Sequence, residues 1–143
     1  MNKNINIAVI GLGNRGQMAL ERLPKIEGVK IIAIADIDSN KVNESADKFF
    51  KDYPYSIPEK YYGSNDWEII CQRKDIDLIY VCTHWELHTP IAVFAMENDK
   101  HVAVEVPAAL TIKECWQLVK TAEKTRKHCI PVSYTHLTLP TKA

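Results

Sequence analysis

The sequence predicts an α/β fold, a doubly wound parallel sheet, and three observations carry that expectation. Near-continuous apolar runs alternate with helix-patterned segments along most of the chain, the pattern of parallel strands covered on both faces rather than of half-exposed ones. The first run, Ile7-Ala8-Val9-Ile10, leads directly into Gly11-Leu12-Gly13-Asn14-Arg15-Gly16. A second run closes on Ala35-Asp36, so a carboxylate follows Gly16 by 20 residues. A G-x-G-x-x-G turn between strand and helix, with an acid at the next strand end, is the fingerprint of the dinucleotide-binding (Rossmann) fold.

The expected strands are Asn6–Ile10, Val29–Ala35, Leu78–Cys82 and His101–Glu105, with a weaker one near Glu59–Tyr61. Between them, helices are predicted over Arg15–Leu23, over Lys41–Phe50 after the cap-like Ser39-Asn40, and over Trp67–Arg73 after Asp66. Pro90–Asn98 places Ile91, Phe94 and Ala95 on one face. Thr111 caps a longer helix whose Ile112, Cys115, Trp116, Val119 and Ala122 follow the i, i+3, i+4, i+7 spacing of a buried stripe. Tyr53–Tyr62 reads as a loop with aromatic cover. Alternating β and α elements imply right-handed crossovers.

The last stretch, Val132 to Thr141, departs from this alternation. It can be encoded by GTC TCT TAT ACA CAT CTG ACG CTG CCG ACG, which looks like read-through of a transposase sequencing adaptor. The expectation is a native domain over residues 1–131, cut before its last strand, and a non-native tail over 132–143 in which His136 is no site.

The chain has 143 residues, enough for one domain with a real core. Its 18 basic and 18 acidic residues balance, so no global field recruits nucleic acid or an acidic membrane. No apolar run approaches bilayer-spanning length, and the first strand leaves no room for a signal peptide before it. Cys71, Cys82, Cys115 and Cys129 form no C-x-x-C pair and sit in apolar patterns, which points to buried thiols in a cytoplasmic protein rather than disulfides or a metal site.

Each part of the fingerprint has a physical task. Gly11 permits the tight turn, Gly13 lets backbone approach a pyrophosphate, and Gly16 lets the helix pack close to the strand. Free N–H groups at the helix start face the phosphates. Asp36 accepts hydrogen bonds from the ribose hydroxyls and repels a 2′-phosphate, so the expected cofactor is NAD rather than NADP.

Residues 5 to 130 resemble the nucleotide-binding domain of the glucose–fructose oxidoreductase / inositol dehydrogenase / MocA family. The resemblance rests on the glycine fingerprint, on Cys82-Thr83-His84-Trp85-Glu86-Leu87-His88, and on Lys100-His101-Val102-Ala103-Val104-Glu105-Val106-Pro107. Family members usually read T-P-N-x-x-H and G-K-H-V-x-x-E-K-P at the last two. His84 stands here where proline is common, and Val106 where the family has lysine. Valine donates no proton and stabilises no alkoxide, which argues against ordinary sugar dehydrogenation. The combination G-L-G-N-R-G, W-E-x-H and E-V-P-A-A is more similar to glycoside hydrolase family 109, the NAD-dependent α-N-acetylgalactosaminidases.

That resemblance implies NAD contacts at Asn14, Arg15, Asp36, Trp85, Glu86, Leu87, His88, Glu105 and Val106, beside Gly11, Gly13 and Gly16. It also implies catalysis by transient oxidation at C3 of the sugar, an exception to two-carboxylate glycosidase chemistry. A second α/β domain, absent here, carries the catalytic residues and the carbohydrate contacts in a parent that forms homo-oligomers. Residue by residue, Trp85 reads as packing or as a ligand contact, and His88 as a packed helix-start residue or as a cofactor contact. Glu105 reads as a cofactor-side or a structural carboxylate, and Glu86 as positional. Three functions fit: the NAD-binding part of a glycosidase, a sugar or cyclitol dehydrogenase, and a non-catalytic NAD-binding regulator.

Overall fold

The computed structural model describes residues 3–132. Strands β1 (Ile5–Ile10), β2 (Val29–Ala35), β3 (Glu59–Tyr61), β4 (Leu78–Val81), β5 (His101–Glu105) and β6 (Cys129–Val132) form one sheet. Helices α1 (Asn14–Arg22), α2 (Ser39–Phe50), α3 (Asp66–Gln72), α4 (His88–Glu97) and α5 (Ile112–Thr125) connect them. The strand order is β3-β2-β1-β4-β5-β6 and every pairing is parallel.

Strand alternation splits the core into two layers. Ile7, Val9, Ile31 and Ile34 pack against Ala19 and Leu20 of α1 and against Val42, Ala46 and Phe50 of α2. Ala8, Ile10, Ile79, Val81, Val102 and Val104 face α3, α4 and α5 on the other side. Register between β1 and β2 shifts after Ile7, and nearby the Ile31 N–H donates to the Tyr53 hydroxyl oxygen at 2.9 Å. The Tyr53–Tyr62 segment is therefore more than cover, since it also supplies β3 beside β2.

Two helix starts differ from the sequence expectation in the side chain that caps them. Asp38, not Ser39-Asn40, caps α2 by accepting the Asn40 N–H at 3.0 Å. Asp66 begins α3 inside the helix, and its carboxylate accepts the N–H groups of Tyr62 and Gly63 instead. Thr111 caps α5 as expected, accepting from Glu114 N at 3.1 Å.

Two expectations need correction. The sheet was expected to end before a sixth strand, yet β6 pairs along β5 with Cys129 opposite Val102 and Val132 opposite Glu105. Cys129 packs on the core, and Pro131 is tolerated because β6 is an edge. The boundary at residue 131 thus falls inside a strand; residues 133–143, including His136, lie outside the described residues. The second correction concerns α5. Its inner face carries Leu118 and Thr121, while Ile112 is 78% and Trp116 59% exposed. Of the stripe expected from the sequence, Ala122 packs on the core, whereas Ile112, Cys115, Trp116 and Val119 face outward. Leu118→Ala should therefore cost about 2–4 kcal/mol, whereas Trp116→Gln should change stability by no more than about 0.5 kcal/mol. Urea unfolding of the two variants checks this, and the reverse order would restore the original face.

Candidate dinucleotide-binding site

The site lies at the carboxyl ends of β1 and β4, where the sheet order reverses direction and a crevice forms in such folds. Gly11 leaves β1 at φ +95, and its N–H donates to the Ala35 carbonyl at 2.8 Å. A Cβ on Gly11 would strike the Cys82 carbonyl, and one on Gly16 would strike the Gly11 carbonyl. These two glycines let α1 and the turn close against β4. Gly13 is different: a Cβ there meets nothing within 4 Å. It is the N-cap of α1, with no side-chain cap and no acid in the first turn. The positive end of the helix thus meets the cleft with no acidic side chain in its first turn to compete with an anionic ligand.

Asp36, just past β2, turns its carboxylate toward the glycine turn. Oδ2 accepts the Leu12 N–H at 2.8 Å and Oδ1 the Asp38 N–H at 2.9 Å. The side chain so holds the turn in place as well as bordering the cleft. That cleft, of about 340 Å³, is lined by Gly11, Gly13, Asp36, Ile37 and Lys41 on the β1–β2 side. Cys82, Thr83, His84 and Leu87 line it at the end of β4, and Gly63, Ser64 and Trp67 complete the wall. Trp67 is braced edge-on by Phe94, ring centroids 5.5 Å apart.

Of the residues singled out in the sequence, Gly11, Gly13, Asp36 and Leu87 converge on this cleft. Gly16 is buried behind the turn. Asn14 and Arg15 start α1 and face a separate surface depression with Lys48 and Phe49. Trp85, 60% exposed, and Glu86 lie on a single 3-10 turn, Trp85–Leu87, without lining the cleft. His88 is 1% exposed, with a carbonyl oxygen beside each ring nitrogen. Glu105 is buried at the end of β5, with Oε1 accepting from the Tyr80 hydroxyl at 3.3 Å, and Val106 follows it, exposed. Sequence reasoning missed Ile37, Lys41, Gly63, Ser64, Trp67 and Thr83 as lining residues. Position offers the one signal for Ile37, Gly63, Ser64 and Thr83, because loops after strand ends build such clefts. Lys41 and Trp67 sit within helices and carry no such sign.

All four thiols are free, and Cys115 is exposed on the outer stripe of α5 rather than buried. Burial pushes the Cys71 thiol up to about 12. Cys82, also desolvated and near the Glu105 charge, and Cys129 move the same way. A thiol held neutral in the fold but ionised from about pH 9 when unfolded favours the native state in full below that pH, and the advantage is lost progressively as pH rises toward the folded value. Stability should therefore fall as pH rises from about 9 toward 12. Urea midpoints measured across that range test it, and a flat profile would contradict the burial of these thiols. Among the described residues no helix is long and apolar enough to cross a membrane, and no cluster of three or more His, Cys, Asp or Glu could hold a metal ion.

Residues 5–133 match the family described as "Oxidoreductase family, NAD-binding Rossmann fold". A protein of Bacteroides fragilis named "Alpha-N-acetylgalactosaminidase" is 50% identical over 126 residues, covering 88% of this chain and 29% of that protein. A "Glycosyl hydrolase family 109 protein" of Porphyromonas gingivalis is 45% identical over 131 residues, covering 90% and 27%. The chain spans less than a third of the length of these curated relatives. Among solved structures, a biliverdin reductase of Synechocystis with biliverdin and NADP⁺ aligns over 93% of this chain and 39% of its own, with a TM-score of 0.81 at 22% identity. A scyllo-inositol dehydrogenase of Lactobacillus casei aligns over 92% and 37%, with a TM-score of 0.79 at 20% identity. These two show the fold alone.

Proposed function

Because the chain belongs to the oxidoreductase family with the NAD-binding Rossmann fold, we propose that it is the cofactor-holding part of an NAD-dependent glycosidase acting on α-N-acetylgalactosaminides. The observation that carries the cofactor assignment is the open cradle at Gly13, bordered by the uncapped start of α1 and by Asp36. In this reading the pyrophosphate lies over Gly13 and the first N–H groups of α1. Asp36 receives the adenosine ribose, and its negative charge rejects a 2′-phosphate. Lys41 adds a cation to the same wall.

When bound, NAD supplies a reversible oxidant for a sugar carbon. The chain's own task is to orient it. Thr83, His84 and Leu87 border its second half at the end of β4, and Val106 beyond β5 brings no proton-carrying group there. The kinship to named glycosidases at 45–50% identity supports hydrolysis over net dehydrogenation. The carbohydrate contacts and the catalytic residues belong to the part of the relatives' length that this chain does not span. Free thiols suit a cytoplasmic protein, and a homo-oligomeric parent belongs to the same reading.

Calorimetric titration should show NAD binding at least about tenfold tighter than NADP. Equal affinities would remove the role given to Asp36. The full-length gene product should release a chromophore from an aryl α-N-acetylgalactosaminide without accumulating NADH, while the 143-residue chain should release none. Net NADH formation by the full-length protein would point to the dehydrogenase instead. Turnover by the 143-residue chain would place the chemistry here.

A further inference from the structure

His88 is a buried imidazole that the cleft itself leaves without a task. It begins α4, behind the cleft, and each ring nitrogen meets a different loop. Nδ1 lies 2.8 Å from the Pro107 carbonyl oxygen, and Nε2 lies 2.9 Å from the Thr83 carbonyl oxygen. Thr83 lines the cleft at the end of β4, and Pro107 follows Val106 in the loop after β5. Carbonyl oxygens only accept, so the ring nitrogen that carries the proton donates to its loop and the other nitrogen packs against the second carbonyl.

The next residue extends the same attachment. The Thr89 hydroxyl is 2.9 Å from the Ala108 carbonyl and 3.1 Å from Glu114 Oε2, which also accepts the Leu110 N–H at 2.9 Å. The start of α4 thus holds the loop from Val106 to Leu110 from behind, and through His88 it ties that loop to Thr83.

Asp36 and Gly13 assign the adenosine half and the pyrophosphate to the β2 and β1 ends, so the remaining half of a dinucleotide extends over β4 and β5. Those are the strands whose following loops His88 joins. Resting on the reading that the cleft holds NAD, we propose that His88 is a positioning residue for the nicotinamide half. It does not touch the cofactor; it sets how the Thr83 loop and the Val106–Pro107 loop stand relative to each other.

Comparing NAD with ADP-ribose, which lacks only the nicotinamide, separates this role from a merely structural one. In calorimetric titrations of the 143-residue chain, His88→Ala should lose about tenfold in NAD affinity while ADP-ribose affinity changes by less than about twofold. His88→Gln, whose amide N–H₂ can still donate to one carbonyl, should recover part of the loss. NAD and ADP-ribose affinities that fall together, or neither falling, overturn the proposal. Should His88→Ala not fold, the wild-type chain decides: the His88 ring ¹⁵N signals should move with NAD and stay with ADP-ribose, and equal responses overturn it. A wild-type chain that binds neither ligand removes the cofactor reading itself, and this role with it. Binding of both ligands with no effect at His88 removes this role alone.

Discussion

Gly13→Val should abolish measurable NAD binding and leave the fold standing, whereas Gly11→Val should unfold the domain. Gly13 sits at φ −72, ψ −161, extended backbone that any residue adopts, and a side chain there meets no protein atom within 4 Å. The added atoms therefore cost the protein little, about 0.5 kcal/mol or less. They occupy the open space in which the pyrophosphate is proposed to lie, and loss of that contact should weaken NAD by more than about 100-fold. Gly11 fails for the opposite reason. Its φ of +95 disfavours any L side chain, and the first carbon would run into the Cys82 carbonyl. Strain of about 1–3 kcal/mol then adds to displacement of the turn from β4. Paired urea unfolding and NAD titration distinguish the two. If Gly13→Val binds NAD like the parent chain, the pyrophosphate does not lie there.

Asp36→Ala should produce the second large effect, on stability and binding together. Both carboxylate oxygens are engaged, Oδ1 by the Asp38 N–H and Oδ2 by the N–H of Leu12, a fully buried residue of the glycine turn. A buried donor left without its acceptor costs about 1–3 kcal/mol, which should appear in urea unfolding without any ligand present. NAD should bind at least about tenfold more weakly, and NADP should gain relative to it because the repelling charge is gone. Full retention of stability would show that the carboxylate does not hold the turn. Retention of the NAD preference would show that another group excludes the 2′-phosphate.

Much of this architecture is legible one residue at a time. Near-continuous apolar runs mark β1, β2, β4 and β5 because a parallel strand is covered on both faces, and periodicity reports coverage directly. The glycine turn is equally readable, since the conformation needed at Gly11 and the close approach needed at Gly16 exclude most other residues. Asp36 follows from its place at the next strand end. The weak run Glu59–Tyr61 is read correctly as a strand within an otherwise loop-like stretch, although nothing local shows that Tyr53 hydrogen-bonds β2.

What the chain by itself determines is therefore the order of elements, the parallel sheet and the turn that suits a dinucleotide. Only the tertiary structure decides which surfaces meet. Helical spacing identifies apolar stripes on α5 but not which one faces α4, so Leu118 is buried and Trp116 is not. Strand pairing, not hydrophobicity, makes β6: its backbone completes the ladder along β5 despite Pro131. His88 could have pointed into the cleft or away from it, and its burial between two carbonyls depends on where the loops after β4 and β5 pass. Lys41 and Trp67 reach the cleft from separate crossovers for the same reason. Local pattern is a property of neighbours in sequence, whereas a site is assembled by groups that only the packing of distant segments brings within a few ångströms.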